Sequence, residues 1–340
     1  MLGTLAIAAA LFTMSATAVG HEACAQTRDS LYEWKMHAPG VRMVPVDGGK
    51  YKVWTQRVGD GKIKLLLLHG GPGGSPEYFE NFPERLGPGY EIYFYSQLGS
   101  YLSDQPTDTT LQTVARKVEE VEEVRKALGL EQFYLLGHSW GALLATAYAA
   151  KYQQHLKGLI LSNASIFALG RNQQYQHLLI ADIADSLPDA RQYADSIRFG
   201  FMNPYRSGQA FGAVMTKVLP IYERRHYIRI DPMPDPVKRA KDHATGAAMR
   251  WLNRDMNSTN YERAIASLTV PTLFIGSTHD FMPPYDYQRM KDLMTNDRDV
   301  SIAICPNGAH FDMWDDAEHY FGAVARFIGS LEEGSERKER

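Results

Sequence analysis

The 340-residue sequence predicts an α/β fold, a mostly parallel central sheet with helices on both faces and an inserted all-helical cap. Three observations carry this expectation. Phe133-Tyr134-Leu135-Leu136, short and wholly apolar or aromatic, reads as a buried strand; it runs through Gly137-His138-Ser139-Trp140-Gly141 into the helical stretch Leu143–Ala150. Other short apolar runs of the same kind alternate with segments of helical period, as a sheet covered on both faces requires. Between residues 166 and 268 that alternation stops and only polar, proline-interrupted helical segments remain.

In chain order, residues 1–25 come first as a candidate secretory leader. Leu5–Ala18 is almost wholly apolar and is followed by Ala-x-Ala exits at Ala16-Thr17-Ala18 or Ala23-Cys24-Ala25. No lysine or arginine precedes the run, and it falls short of the ~20 residues that span a bilayer. The expectation is export to the periplasm or beyond, with no stable membrane anchor once the leader is removed; a non-functional leader would leave the protein cytoplasmic. Cleavage after Ala25 would leave Cys305 as the only cysteine, in an apolar strand where it reads as a small buried hydrophobe.

The first core part spans 26–165. Arg42–Val46 and Tyr51–Gln56, joined by Asp47-Gly48-Gly49-Lys50, form a hairpin pattern. Ile63–Leu68 is a buried strand that ends in His69-Gly70-Gly71-Pro72-Gly73-Gly74. A helix is expected over Pro76–Leu86, a strand over Glu91–Tyr95, and an amphipathic helix from Leu111 to Leu128 with Val114, Val118, Val121, Val124 and Leu128 on one face. The elbow segment follows, its helix ending near Tyr152, and then the strand Gly158–Ser162. The cap, 166–268, is placed to roof a site. The second core part, 269–331, has strands at Thr272–Gly276 and Val300–Ile304 and a helix over Asp316–Ser330; 332–340 is a charged tail expected to fray.

Composition excludes several function classes. With 44% hydrophobic residues, 22% charged residues and a net charge of −3, nothing marks a nucleic-acid binder, and no basic stripe interleaves with aromatics. The histidines are scattered and no His-x-x-x-His or Cys-x-x-Cys occurs, so no metal or other cofactor is expected. The glycine-rich loop after Leu68 lacks the Gly-Lys-Ser/Thr of a phosphate cradle.

The chemistry lies in the strand ends. Serine on a sharp strand-to-helix turn flanked by glycines is a nucleophile elbow, because side chains at the glycine positions would collide with backbone. A serine hydroxyl needs a base, and the base an orienting acid. In an α/β-hydrolase sheet the chain order is Ser, then Asp or Glu, then His. Asp280 follows strand Thr272–Gly276 and His310 follows strand Val300–Ile304, so Ser139, Asp280 and His310 are the expected triad. Asp286, Asp297 and Asp299 compete as acids, His279 and His319 as bases. The oxyanion of an acyl-transfer intermediate needs preorganised N–H donors. Trp140, after the nucleophile, is one, and the glycine-rich loop at Gly71 supplies the other. A complete triad with both donors also argues against a degenerate hydrolase fold that only binds.

With those residues in place, the chain resembles the proline iminopeptidase branch of the α/β-hydrolase superfamily. The resemblance rests on His69-Gly70-Gly71-Pro72-Gly73, on Gly137-His138-Ser139-Trp140-Gly141, on Tyr95–Ser100 with Ser103-Asp104-Gln105-Pro106, and on the ends around Asp280 and His310. It covers about residues 40–165 and 268–330. It implies the α/β-hydrolase fold and a serine hydrolase removing an N-terminal residue, often proline, from small peptides or amides. Ser96 stands where the family has an acid, and Tyr101 where it has a second glycine. The family binds the substrate's α-amino group with cap glutamates; Glu223, in Tyr222–Arg229, is the candidate here, with Asp255 and Glu262 as substitutes for a later acid. Gly70 and Tyr101 are the other candidate substrate contacts. The alternative is an esterase, lactonase or N-acyl amide hydrolase with the same triad. No partner beyond a small-molecule or short peptide substrate is expected.

Overall fold

The computed structural model describes residues 30–164, 168–199, 209–245, 252, 255–256, 258–282, 284–294 and 299–339. The leader and its cleavage points lie outside these residues. Among the described residues no helix is long and apolar enough to cross a membrane.

Eight strands form one sheet: β1 Val41–Val46, β2 Tyr51–Val58, β3 Ile63–Leu68, β4 Tyr90–Tyr95, β5 Phe133–His138, β6 Leu156–Ser162, β7 Thr272–Ser277 and β8 Val300–Cys305, in the order β1-β2-β4-β3-β5-β6-β7-β8. β2 runs antiparallel to both its neighbours, and the pairing is parallel from β4 onward. The hairpin has the expected turn, with Val46 opposite Tyr51.

The alternation of side chains along a strand divides the core in two. Leu65 and Leu67 of β3 pack on one face with Tyr134 and Leu136 of β5, beside Phe82, Tyr320 and Phe321. Leu66 and Leu68 pack on the other with Phe133 and Leu135, beside Val121, Val124 and Leu144. All four leucines are fully buried, which is why β3 reads as an unbroken apolar run rather than an alternating one.

Three elements depart from the sequence reading. The helix expected over Pro76–Leu86 is a 3-10 turn at Pro76–Phe79 and a short α-helix at Phe82–Leu86. Pro83 has no N–H to give the Phe79 carbonyl, so one continuous helix cannot form across it. The amphipathic helix is Val114–Leu128, three residues shorter at its start, because Thr113 caps the Arg116 N–H; it stops at Gly129, whose φ of 68° is left-handed. The last helix is Ala317–Glu339, so residues 332–339 are helical rather than frayed. Glu332 receives the Tyr134 hydroxyl at 2.7 Å and pairs with Lys157, which fixes the extra turns to the sheet.

Between β6 and β7 the described residues are helices and turns, among them Ala168–Ser186, Gln209–Tyr222, the π-helical turn Glu223–Tyr227, Asp235–Asp242 and Tyr261–Ala266. Thr245, just past Asp235–Asp242, gives its N–H to Gly73 O at 2.7 Å and its hydroxyl to Gly99 O at 2.6 Å. The π-helical turn meets the other side of the core: Phe311 N–H donates to Tyr227 O at 3.1 Å, and His226 Nδ1 lies 2.9 Å from His279 O. The inserted helices are thus tied to the loops after β3, β7 and β8, the loops that carry the candidate chemistry.

Candidate active site

Ser139 sits between β5 and helix Trp140–Tyr152 with φ 57° and ψ −125°, a conformation that side chains rarely adopt and that projects the residue off the strand end. Its N–H donates to Ser162 O of the neighbouring strand at 2.9 Å. A Cβ on Gly137 would strike the Gly141 carbonyl, and one on Gly141 the Leu68 carbonyl, so backbone contact demands both glycines of the turn. Gly70 lies against the nucleophile; a Cβ there would stand 2.8 Å from Ser139 Cβ and 3.3 Å from its Oγ.

Asp280 and His310 come from the loops after β7 and β8 and meet. His310 Nδ1 lies 3.0 Å from Asp280 Oδ1 and 3.2 Å from Oδ2, and both side chains are buried. The Met282 N–H donates to Asp280 Oδ1 at 2.9 Å, which holds the carboxylate in place. Phe281 packs on the imidazole at 4.3 Å between centroids and Tyr227 at 5.7 Å. His138, the residue before Ser139, reaches His310 O with Nε2 at 2.8 Å, so the elbow and the histidine loop are in direct contact. Of the competing groups, His319 pairs with Asp316 at 2.7 Å inside the terminal helix, His279 is half-buried beside Arg229, Asp299 is exposed and Asp297 lies outside the described residues.

Burial pushes the His310 imidazole below its ordinary value of 6.5. A protonated imidazole cannot take the Ser139 proton, so activity requires the neutral form that burial favours. The acid limb of kcat/KM is therefore expected below pH 6.5, with activity held as pH falls through that value and lost only further down. A limb at or above 6.5, measured on a substrate without titrating groups, would mean that the Asp280 carboxylate 3.0 Å from Nδ1 outweighs burial at His310.

The glycine-rich loop after β3 is held peptide by peptide. Gly70 O faces His69 Nδ1 at 2.9 Å and accepts from Gly74 N–H at 3.3 Å. His69 Nε2 accepts the Gln97 N–H at 3.0 Å, so the ring proton sits on Nδ1 and is donated to Gly70 O. In a trans peptide the N–H points opposite the carbonyl, and the Gly71 N–H is aimed away from these partners. Gln97 also donates Nε2–H to His69 O at 2.8 Å and accepts the Trp140 Nε1–H at 2.9 Å, joining the loop after β4 to the glycine-rich loop and to the helix that follows Ser139.

The other candidate contacts are placed as follows. Glu223 is ion-paired with Lys241. Tyr101 stacks on His243 at 3.8 Å between centroids, and His243 Nδ1 is 2.6 Å from buried Glu77. Asp255 accepts the Val114 N–H at 2.6 Å and so serves a helix start, and Glu262 lies 3.7 Å from Arg289. The structure thus brings Gly70 against Ser139 and His310 against Asp280, joins the elbow to the histidine loop through His138, and leaves Asp255 and Glu262 in structural pairings. Gln97, Asn163 and Tyr78 are supporting residues that motif reading did not assign a role; only Gln97 carried a signal, its place in the Tyr95–Ser100 segment.

Comparison with known proteins shows the family to which this fold belongs. A family model described as alpha/beta hydrolase fold matches residues 64–317. The proline iminopeptidase of Flavobacterium johnsoniae is 36% identical over 309 residues, covering 85% of this chain and 98% of the relative. That of Elizabethkingia meningoseptica is 37% identical over 309 residues, with the same coverage of 85% and 98%. Among solved structures, the proline iminopeptidase of Mycobacterium smegmatis superposes with a TM-score of 0.68 at 22% identity, over 87% of this chain and 99% of that one.

Proposed function

The chain belongs to the α/β-hydrolase family, on its proline iminopeptidase-like branch, and from that premise we propose that it is an aminopeptidase or amino-acid amidase. It cleaves the bond after an N-terminal residue of a short peptide or amide through a Ser139–His310–Asp280 triad. The buried His310–Asp280 pair, beside a nucleophile elbow whose glycines backbone contact demands, is the observation that carries this reading.

Ser139 Oγ attacks the carbonyl carbon while its proton passes to His310 Nε2; Asp280, on Nδ1, holds the tautomer and the charge of the imidazolium. The carbonyl electron pair moves onto oxygen and is met by the N–H groups of Trp140 and Gly71. As the intermediate collapses, the C–N bond breaks, His310 returns the proton to the leaving amine, and the acyl group stays on Ser139. Water, deprotonated by His310, then releases the acid.

Preference for a free amino terminus rests on the similarity to proline iminopeptidases and on an acidic anchor in the inserted helices. Glu223 sits one turn before Tyr227, whose ring lies against His310, which makes it the candidate anchor on the side of the inserted helices that meets the histidine loop. A substrate ammonium at Glu223 would have to displace or join the Lys241 ammonium already there.

The test is kcat/KM on a prolyl arylamide, its N-acetylated twin and a short-chain aryl ester. Free amine should be preferred over the blocked amide by more than tenfold, and Glu223→Gln should raise KM for the free-amine substrate more than for the ester. Equal cleavage of the blocked amide, or preference for the ester, would replace this reading with an ester, lactone or N-acyl amide hydrolase; equal KM effects would remove Glu223 as the anchor.

A further inference from the structure

We propose that Tyr78 and His138 are positioning residues for catalysis, a two-residue link that fixes the oxyanion loop, the nucleophile elbow and the catalytic histidine relative to one another. The inference rests on the assigned triad but not on which acyl group it accepts.

The proton positions along the link follow from its partners. His138 Nε2 faces the carbonyl oxygen of His310 at 2.8 Å, and a carbonyl can only accept, so Nε2 carries a proton. Burial, with the nearby His310 as a smaller contribution, drives the His138 pKa well below its ordinary value, so the ring is neutral and Nδ1 is an acceptor. The group opposite Nδ1, at 3.1 Å, is the Tyr78 hydroxyl, which therefore donates to it. That hydroxyl in turn accepts the Gly70 N–H at 2.6 Å. The chain runs from Gly70 N–H to the Tyr78 hydroxyl, from that hydroxyl to His138 Nδ1, and from His138 Nε2–H to His310 O. Burial holds the phenol protonated well above its ordinary range, so the donor is present at every working pH.

Each end of the link meets catalytic machinery. Gly70 is flanked by two peptides: its N–H is held by Tyr78, and its carbonyl by His69 and Gly74, which aims the next N–H, that of Gly71. The same Gly70 packs on the Ser139 side chain. At the other end, His310 O takes a second hydrogen bond from Asn163 Nδ2 at 2.7 Å, so the base is anchored from the ends of both β5 and β6. Tyr78 is itself pinned: Trp314 Nε1 donates to its carbonyl at 2.8 Å, and its ring packs on Phe79, Phe311 and His138. A hydroxyl so placed keeps the donor of one loop and the base of another in register with a nucleophile on a third.

A link of this kind acts on the transition state, where donor and base must both be aligned, more than on ground-state binding. Tyr78→Phe removes the hydroxyl and keeps the ring. It should lower kcat by about 10- to 100-fold with KM changed less than threefold, a smaller loss than the 10²–10³ expected for deleting an oxyanion donor outright. His138→Gln, which keeps a donor toward His310 O and an acceptor toward Tyr78, should retain more kcat than His138→Leu, which keeps neither. Tyr78→Phe combined with His138→Leu should lose less than the product of the single losses.

Rates are read on whichever of the prolyl arylamide and the aryl ester the wild-type protein turns over faster, with circular dichroism as the check on folding. Wild-type preference for the ester would count against the aminopeptidase reading alone. A Tyr78→Phe kcat within threefold of wild type, a loss carried by KM, or equal kcat in His138→Gln and His138→Leu would overturn the proposal. If Tyr78→Phe does not fold, the His138 pair decides by the same criterion.

Discussion

Ser139→Ala is expected to abolish turnover, with kcat falling by on the order of 10⁶ on any substrate the wild-type protein cleaves, to the level that binding and the oxyanion donors alone sustain. The expected loss is this large because in the proposed mechanism the hydroxyl is the group that forms the covalent bond; no other described nucleophile stands at the elbow. The fold should survive. The residue holds φ at 57° through its backbone bond to Ser162 and through the glycines around it, and alanine carries the same Cβ into the same space. Steady-state rates with matched thermal unfolding of both proteins provide the check. A purified variant that keeps more than a hundredth of wild-type kcat would place the nucleophile elsewhere.

Asp280→Asn is expected to cost about 10⁴ in kcat with little change in structure. The carboxylate accepts the Nδ1 proton of His310 at 3.0 Å, which leaves Nε2 bare toward the serine. Both carboxylate oxygens face Nδ1, at 3.0 and 3.2 Å, so an asparagine sets an NH₂ beside that nitrogen in either orientation. The amide donor favours a ring that accepts on Nδ1 and carries its proton on Nε2, the wrong tautomer for a base. The diagnostic is that KM stays within a few-fold while kcat falls, because substrate binding does not use the Asp280–His310 bond. A loss below tenfold would mean that another carboxylate orients the base.

How far the sequence could be read depended on the range over which each residue acts. The elbow, the glycine loop and the two strand-end partners were legible because each role requires a residue type at a fixed place beside a strand, and strands announce themselves as apolar runs. The fold class followed from the same runs. The split at Pro83 was also within reach, since a missing N–H is a local property. Other features were not local. Helix Val114–Leu128 shows a clean apolar face with its charged residues elsewhere, yet Lys117 and Glu120 are buried and paired at 3.1 Å. There they serve the loop after β4: Glu120 accepts the Leu98 N–H at 2.7 Å, and Lys117 donates to the Leu98 carbonyl.

Tyr78 carried no sequence signal because its hydroxyl gains meaning only when the loop after β3, which carries Gly70 and Tyr78 itself, meets His138 at the end of β5, 60 residues on. The same holds for the candidate acids in the inserted helices. Asp255 lies 141 residues from the N–H that it caps, and Glu223 finds Lys241 18 residues on, across a run of prolines. Spacing alone cannot show such partners, so a carboxylate that could hold a substrate ammonium looked the same in sequence as one that starts a helix.

The measurement that bears most directly on the central claim is the site of covalent labelling by an alkyl fluorophosphonate, read by peptide mass spectrometry on the wild-type protein and on the Ser139→Ala and Asp280→Asn variants. The account predicts one adduct, on Ser139, formed rapidly in the wild type, slowed by orders of magnitude in Asp280→Asn and absent in Ser139→Ala. An adduct on another residue, or labelling of Asp280→Asn at the wild-type rate, would contradict it.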